Sequence, residues 1–340
     1  MLHRRDFAKL ALVASPALLV QSAPAPRVIL KPRKLSEGDT VGMIAPASMV
    51  FETDVLDRGR EQLEALGFKV KVGAHVKARY GNLAGTDRER AADINGFFAD
   101  PEVNAIISFN GGWGTPRLLP YLDYENIRRN PKILLGFSDL TGLLNAVHKK
   151  TGLVTFHGPM ADSRYDAYTL QNFKTVLMSS DPIGAIPNPQ KRDDELIDRD
   201  NRIITLREGV ASGRLVGGNL SLIAATMGTP YESDTDGAIL FLEETHEELY
   251  RIDRMLTQLW LAGKLDRIAG FAFGRCTDCP IEGPALSMGE LLRERFGHVP
   301  SVWGLAFGHI EKKMTLPIGI PATLDATAKT LSVAEAAVTE

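Results

Sequence analysis

Cysteine is nearly absent: the 340-residue chain has two, Cys276 and Cys279. That excludes a disulfide-framed scaffold, and without a second CxxC it excludes a four-cysteine zinc site. Charge of one sign is missing too. Lys and Arg number 39 against 42 Asp and Glu, for a net charge of -3, with no long basic run. A nucleic-acid-binding face is therefore not expected. Beyond the N-terminal segment, no stretch reaches the roughly 18 continuous apolar residues that a membrane-spanning helix needs. What remains (44% hydrophobic, 24% charged and 7% aromatic residues) is ordinary globular composition. The length suits two domains, each able to bury a core.

Residues 1–25 read as an export address. His3-Arg4-Arg5-Asp6-Phe7-Ala8-Lys9 precedes an apolar run from Leu10 to Val20, and Ala23-Pro24-Ala25 follows. Paired arginines before a Phe and a Lys resemble a twin-arginine signal, which exports folded proteins. The apolar run is too short to span a bilayer. The expectation is a periplasmic protein without a stable membrane anchor. A Pro-rich linker, residues 26–35, comes next.

From residue 36 to 165, short apolar runs alternate with helical spacing. Val41–Ala45, Ala105–Phe109 and Ile133–Leu135 read as buried strands, Asp54–Leu66 and the segment opened by Thr86 as helices. Such alternation implies a parallel sheet covered on both faces. Residues 166–210 are polar and read as an interdomain connection, helical near Leu170–Met178. A second domain, 211–336, offers the strand Ala238–Leu242, the helix Glu247–Ala262, strands Ile268–Phe273 and Val302–Phe307, and a closing hairpin over Ala322–Val333. In parallel sheets ligands bind beyond the carboxyl ends of the strands, so the loops there matter most.

One such loop is Leu134-Leu135-Gly136-Phe137-Ser138-Asp139-Leu140-Thr141. A serine at a sharp strand-to-helix turn exposes its hydroxyl beside a helix N-terminus, where the following backbone N–H, that of Asp139, can donate to an oxyanion. The plainer reading makes Ser138 or Asp139 an N-cap. A nucleophilic serine needs a base and the base an orienting carboxylate. His157, in Thr155-Phe156-His157-Gly158-Pro159, and His309, in Leu305-Ala306-Phe307-Gly308-His309, both stand at strand ends, and the pattern does not choose between them. Glu243, directly after the apolar run Ile239–Leu242, is the outstanding carboxylate; the competing reading is a cap for the next helix.

Two glycine clusters, Asn110-Gly111-Gly112-Trp113-Gly114 and Gly217-Gly218-Asn219-Leu220, allow close backbone approach to a ligand and free N–H donors. Their spacing fits neither a P-loop nor a dinucleotide fingerprint. Thr115 is a weaker nucleophile candidate, lacking a strained turn. Cys276-Thr277-Asp278-Cys279 is expected to form a local disulfide, ahead of free thiols or a redox pair.

Together these blocks resemble the LD-carboxypeptidases and the related microcin C immunity peptidases. The resemblance runs in order through Gly111-Gly112-Trp113-Gly114, Gly136-Phe137-Ser138-Asp139, His157-Gly158-Pro159-Met160, Gly217-Gly218-Asn219-Leu220, Leu242-Glu243-Glu244, Phe307-Gly308-His309 and Thr315-Leu316-Pro317-Ile318-Gly319. It departs at Asn110, where many relatives have Arg. The resemblance implies an α/β chain: an N-terminal parallel-sheet (Rossmann/flavodoxin-like) domain and a C-terminal mixed α/β domain with a barrel-like sheet. It implies a Ser138–His309–Glu243 triad, oxyanion donors at Gly112 and Asp139, substrate contacts at Gly111 and Asn219, no metal, no cofactor and a homodimer. The substrate expected is a murein tetrapeptide losing its terminal D-alanine. The alternatives are a peptide–nucleotide antibiotic cut by the same triad, and a non-catalytic two-lobed binding protein. The last requires the three side chains to lie far apart.

Overall fold

The computed structural model describes residues 28–191, 194–199, 201–281 and 286–340. The expected export signal lies outside the described residues. In chain order the elements are β1 (Thr40–Ile44), α1 (Thr53–Ala65), β2 (Lys69–Val72), α2 (Asp87–Ala99), β3 (Val103–Ser108), a 3₁₀ helix (Thr115–Tyr121), α3 (Tyr124–Arg129), β4 (Ile133–Gly136), α4 (Leu140–Thr151) and β5 (Thr155–His157). There follow α5 (Ala167–Leu177), β6 (Gly184–Ile186), β7 (Ile204–Arg207), β8 (Val210–Asn219), α6 (Leu220–Ala225), β9 (Ile239–Thr245) and α7 (Leu249–Leu261). Last come β10 (Gly270–Thr277), α8 (Met288–Phe296), β11 (Ser301–Trp303), β12 (Leu316–Ile318), β13 (Pro321–Asp325) and β14 (Thr330–Val333).

The fold is α/β with two sheets. The first runs β12-β5-β4-β3-β1-β2 and is parallel except for β12. Its inner strands are apolar on both faces: Ile133, Leu134 and Leu135 of β4 are all fully buried. That is what burial between two helical layers demands. The second, curled sheet runs β6-β14-β13-β8-β9-β10-β11-β7, with a parallel centre from β8 to β11 and antiparallel edges.

Three segments differ from the sequence expectation. Residues 166–210 are more than a connection. Within them α5 buries Phe173, Val176 and Leu177, β6 pairs with β14, and β7 pairs with β11. The described part of the linker is also built in: Leu30 bonds to Gly152 and Val154, and Lys34 N–H donates to Thr339. Finally, the strand expected over Val302–Phe307 stops at Trp303. Gly304 turns the chain, donating to the Phe273 carbonyl, and Leu305–Phe307 become the loop that carries His309.

The two units interlock. From the second half of the chain, β12 crosses back to pair antiparallel with β5, setting Leu316 opposite His157. One continuous apolar cluster holds Leu135 and Leu144 of the first unit together with Leu215, Phe241 and Phe307 of the second. Side chains contributed from both units can therefore be held at fixed separations across the junction.

Candidate active site

Ser138 sits where β4 gives way to α4, with φ 64°. That left-handed conformation is strained for a side chain with a Cβ and is found where a turn over-determines it. The turn is pinned by Leu140 N–H to Phe137 and Thr141 N–H to Ser138 carbonyl bonds. Neither Ser138 nor Asp139 caps α4 with its side chain. Asp139 instead accepts from Thr115 N–H at 2.7 Å, and Thr115 Oγ1 donates to the Asp139 carbonyl. Burial pushes the Asp139 carboxyl upward, opposed by these bonds and by Arg90. Thr115 is thus fully buried and committed to holding the turn, away from any nucleophilic role.

The three expected side chains converge. His309 Nε2 lies 2.8 Å from Ser138 Oγ, and His309 Nδ1 lies 2.7 Å from Glu243 Oε2. Glu243, at the end of β9, is completely buried, and the helix after it is not capped by its side chain. The His309 carbonyl accepts from Thr277 Oγ1, and the edge of the Phe137 ring packs on the imidazole at 5.1 Å. The arrangement has the geometry that a relay of nucleophile, base and orienting acid requires, with side chains drawn from both units. The far-apart arrangement required by a binding protein is absent.

His157 is not a second base. It is 1% exposed, ringed by Phe137, Phe241 and Phe307, and neither ring nitrogen has a hydrogen-bond partner among the described residues. Burial drives its imidazole down to about 4, so it is neutral in the folded protein. Packing thus gives the same answer as the family resemblance, which had already chosen His309 over His157.

The loop after β3 runs against the nucleophile. A Cβ on Gly111 would stand 3.1 Å from Ser138 Oγ, and Gly112, at φ 111°, could carry no Cβ without colliding with Ser48. Neither the Gly112 nor the Asp139 N–H bonds to another described residue, so both remain available to a developing oxyanion. The second glycine cluster behaves differently. Gly218 makes room for Thr141 and Gly217 for the backbone of Phe241, so protein rather than ligand fills their space. Asn219 is 3% exposed, caps α6 through Leu222 N–H and donates to Glu244 Oε1 at 2.8 Å. It does not line the cleft.

Beside the triad is a cleft of about 490 Å³, lined by Gly111, Gly112, Ser138 and His309 together with Phe137, Met160, Asp162, Ser163, Thr245 and Lys313. Asp162 and Lys313 went unnoticed in the sequence, where nothing but proximity to the His157 and His309 blocks marks them. Asp162 is exposed as a residue, yet desolvation of its carboxyl raises it to about 6 against the pull of Lys313. Burial lowers the Lys313 ammonium to about 8, opposed by Asp162, Glu243 and Glu311. Among the described residues no cluster could hold a metal ion. Cys276 and Cys279 are disulfide-bonded at the end of β10, adjoining the Thr277 that supports His309.

The chain is similar to known proteins over most of its length. The LD-carboxypeptidase N-terminal domain matches residues 41–158 and the LD-carboxypeptidase C-terminal domain residues 212–324. A Bacillus subtilis protein named "Probable murein peptide carboxypeptidase" is 40% identical over 320 residues, covering 91% of this chain and 96% of that one. The structure of muramoyltetrapeptide carboxypeptidase from Oxalobacter formigenes superposes with a TM-score of 0.73 at 31% identity, covering 88% of this chain and all of the other. That of the Microcin C7 self-immunity protein MccF of Escherichia coli, bound to glutamyl sulfamoyl guanosine, gives 0.82 at 28% identity, covering 91% and 100%. With both family domains matched in order and a relative 40% identical over nearly the whole chain, the chain belongs to the LD-carboxypeptidase family and is a serine-type carboxypeptidase.

Proposed function

We propose that the protein removes the terminal D-alanine from murein tetrapeptides through an acyl-enzyme. The observation that carries this reading is the continuous hydrogen-bonded chain from Ser138 Oγ through His309 to the buried Glu243. Ser138 Oγ attacks the carbonyl of the residue before D-alanine while His309 Nε2 takes its proton. Glu243 holds the imidazole by Nδ1–H and stabilises the imidazolium. The Gly112 and Asp139 amides stabilise the tetrahedral oxyanion, at about 3–4 kcal/mol per donor. His309 then protonates the leaving amine of D-alanine, and water, deprotonated by the same imidazole, releases the shortened peptide.

The test is incubation with a murein tetrapeptide and mass analysis of the products. Release of D-alanine by the wild type, and none by Ser138→Ala, supports the reading; no release by the wild type refutes the substrate. A second reading rests on the close superposition with MccF: the same triad would then cleave an aminoacyl or peptidyl sulfamoyl nucleoside, and that compound belongs in the same assay.

The reading extends to where the enzyme works. The Arg4-Arg5 segment supports folded export to the periplasm, and the Cys276–Cys279 disulfide suits an oxidising compartment. Cell fractionation of the full chain beside its Arg5→Lys variant checks this. A homodimer, expected from the family resemblance, is tested by light scattering.

A further inference from the structure

A carboxypeptidase must tell a chain end from a peptide interior, and what marks the end is a free carboxylate. The cleft holds one Lys or Arg side chain among its lining residues, Lys313. Its residue is only 7% exposed, and its backbone is fixed by Lys313 N–H donating to Thr169 Oγ1. The ammonium stands 4.2 Å from the centroid of the Phe137 ring, and Phe137 directly precedes the nucleophile. No described carboxylate lies within ion-pair distance of Nζ. Asp162, Glu243 and Glu311 act on it only through space, and Glu311 is engaged with Arg164. A nine-tenths buried cation without a hydrogen-bonded anion is an unfavourable arrangement in a resting site. It becomes favourable once an anion completes it with a charge-assisted hydrogen bond.

We propose that Lys313 is the receptor for the free C-terminal carboxylate of the substrate, and that this contact restricts cleavage to the last peptide bond. The inference deepens the reading given above and rests on it for the identity of the released residue. The ring of Phe137 holds the ammonium through a cation–π contact when no substrate is bound. Bound substrate places its scissile carbonyl on Ser138 and its carboxylate one residue further on, against Nζ. Asp162, which shares the cleft lining and acts on Lys313 through space, offsets the ammonium's charge and disfavours an anion bound anywhere but on the lysine.

The test compares a murein tetrapeptide ending in free D-alanine with the same peptide ending in D-alaninamide, using the full-length folded enzyme and its Lys313→Met, Lys313→Gln and Lys313→Arg variants. The wild type should prefer the free acid by between about 10- and 150-fold in kcat/KM, the range expected of a hydrogen bond to a charged group. In Lys313→Met and Lys313→Gln that ratio should fall to near unity, with the loss on the free acid chiefly in KM, and Lys313→Arg should restore most of it. A variant that slows acid and amide equally, or leaves the ratio intact, overturns the proposal.

A second arm is independent of the peptide. N-acetyl-D-alanine should slow fluorophosphonate labelling of Ser138 in the wild type and do so at least about 10-fold less effectively in Lys313→Met. If the wild type releases no D-alanine while this protection holds, the murein substrate is wrong and the carboxylate receptor stands. Equal protection of wild type and variant removes the receptor whatever the peptide assay shows.

Discussion

Replacing Glu243 by Gln keeps the shape of the relay and removes its charge, so it isolates what the acid contributes. The carboxylate is fully buried and lies 2.7 Å from His309 Nδ1. When His309 takes the Ser138 proton, an imidazolium forms against it. Unit charges roughly 4 Å apart attract by about 4 kcal/mol at an effective dielectric of about 20, which is close to 10³-fold in rate at about 1.4 kcal/mol per decade. The amide adds a second defect. Glu243 Oε1 has no hydrogen-bond partner among the described residues, so a Gln NH₂ placed there would be a buried donor without an acceptor, at about 1–3 kcal/mol. Turning the amide round instead offers N–H to His309 and favours the wrong tautomer. Either way kcat should fall by roughly 10³–10⁴, with KM little changed. The assay is the second-order rate of fluorophosphonate labelling of Ser138 alongside turnover of the tetrapeptide, with circular dichroism to establish folding. A folded Glu243→Gln enzyme within tenfold of wild type in both would refute the account.

Other outcomes follow from the same coordinates. Because His157 is held near 4 when folded and has an ordinary value near 6.5 when unfolded, the unfolded chain binds more protons between those limits. Stability should therefore be lost as pH falls through that window, by about 3 kcal/mol from this residue. Urea unfolding at several pH values should show the loss reduced in His157→Gln, and parallel curves would contradict the assignment. If Lys313 binds the carboxylate as an ammonium, kcat/KM for the free acid should decline above about pH 8 as that ammonium loses its proton. The decline should move to higher pH in Lys313→Arg; an unmoved alkaline limb would point to another group. Gly112→Ala should cost about 100-fold or more in kcat, since the new Cβ meets Ser48 and displaces an oxyanion donor. Labelling rates measured with matched unfolding curves would separate that loss from general destabilisation.

How legible this was differs from residue to residue. Ser138 could be read because a buried β4 ending in glycine, followed at once by a helix, makes the strand-to-helix turn a local property of eight residues. Glu243 could be read because a carboxylate at the end of a fully apolar run is rare without a function. His157 and His309 looked alike, each following apolar residues and preceding or following a glycine, and only the family resemblance separated them. In space one is sealed among Phe137, Phe241 and Phe307 while the other bridges Ser138 and Glu243. Asn219 matched a family block, yet its side chain is consumed by α6 and Glu244.

The sequence by itself determined the alternation of strands and helices, the nucleophile's turn, the acid at the end of β9 and the family. All but the family depend on neighbours within about ten residues, where periodicity and turn chemistry act; the family rests on short blocks matched in order along the chain. Only the tertiary structure showed how His309 meets Ser138 while His157 is sealed away, that 166–210 supplies sheet edges, that β12 returns to pair with β5, and that Lys313 enters the cleft beside Phe137. Those outcomes depend on contacts between residues far apart in the chain, 66 positions for His309 with Glu243 and 171 for His309 with Ser138. Such contacts are fixed by how two sheets bury one shared core, and no local pattern records that packing.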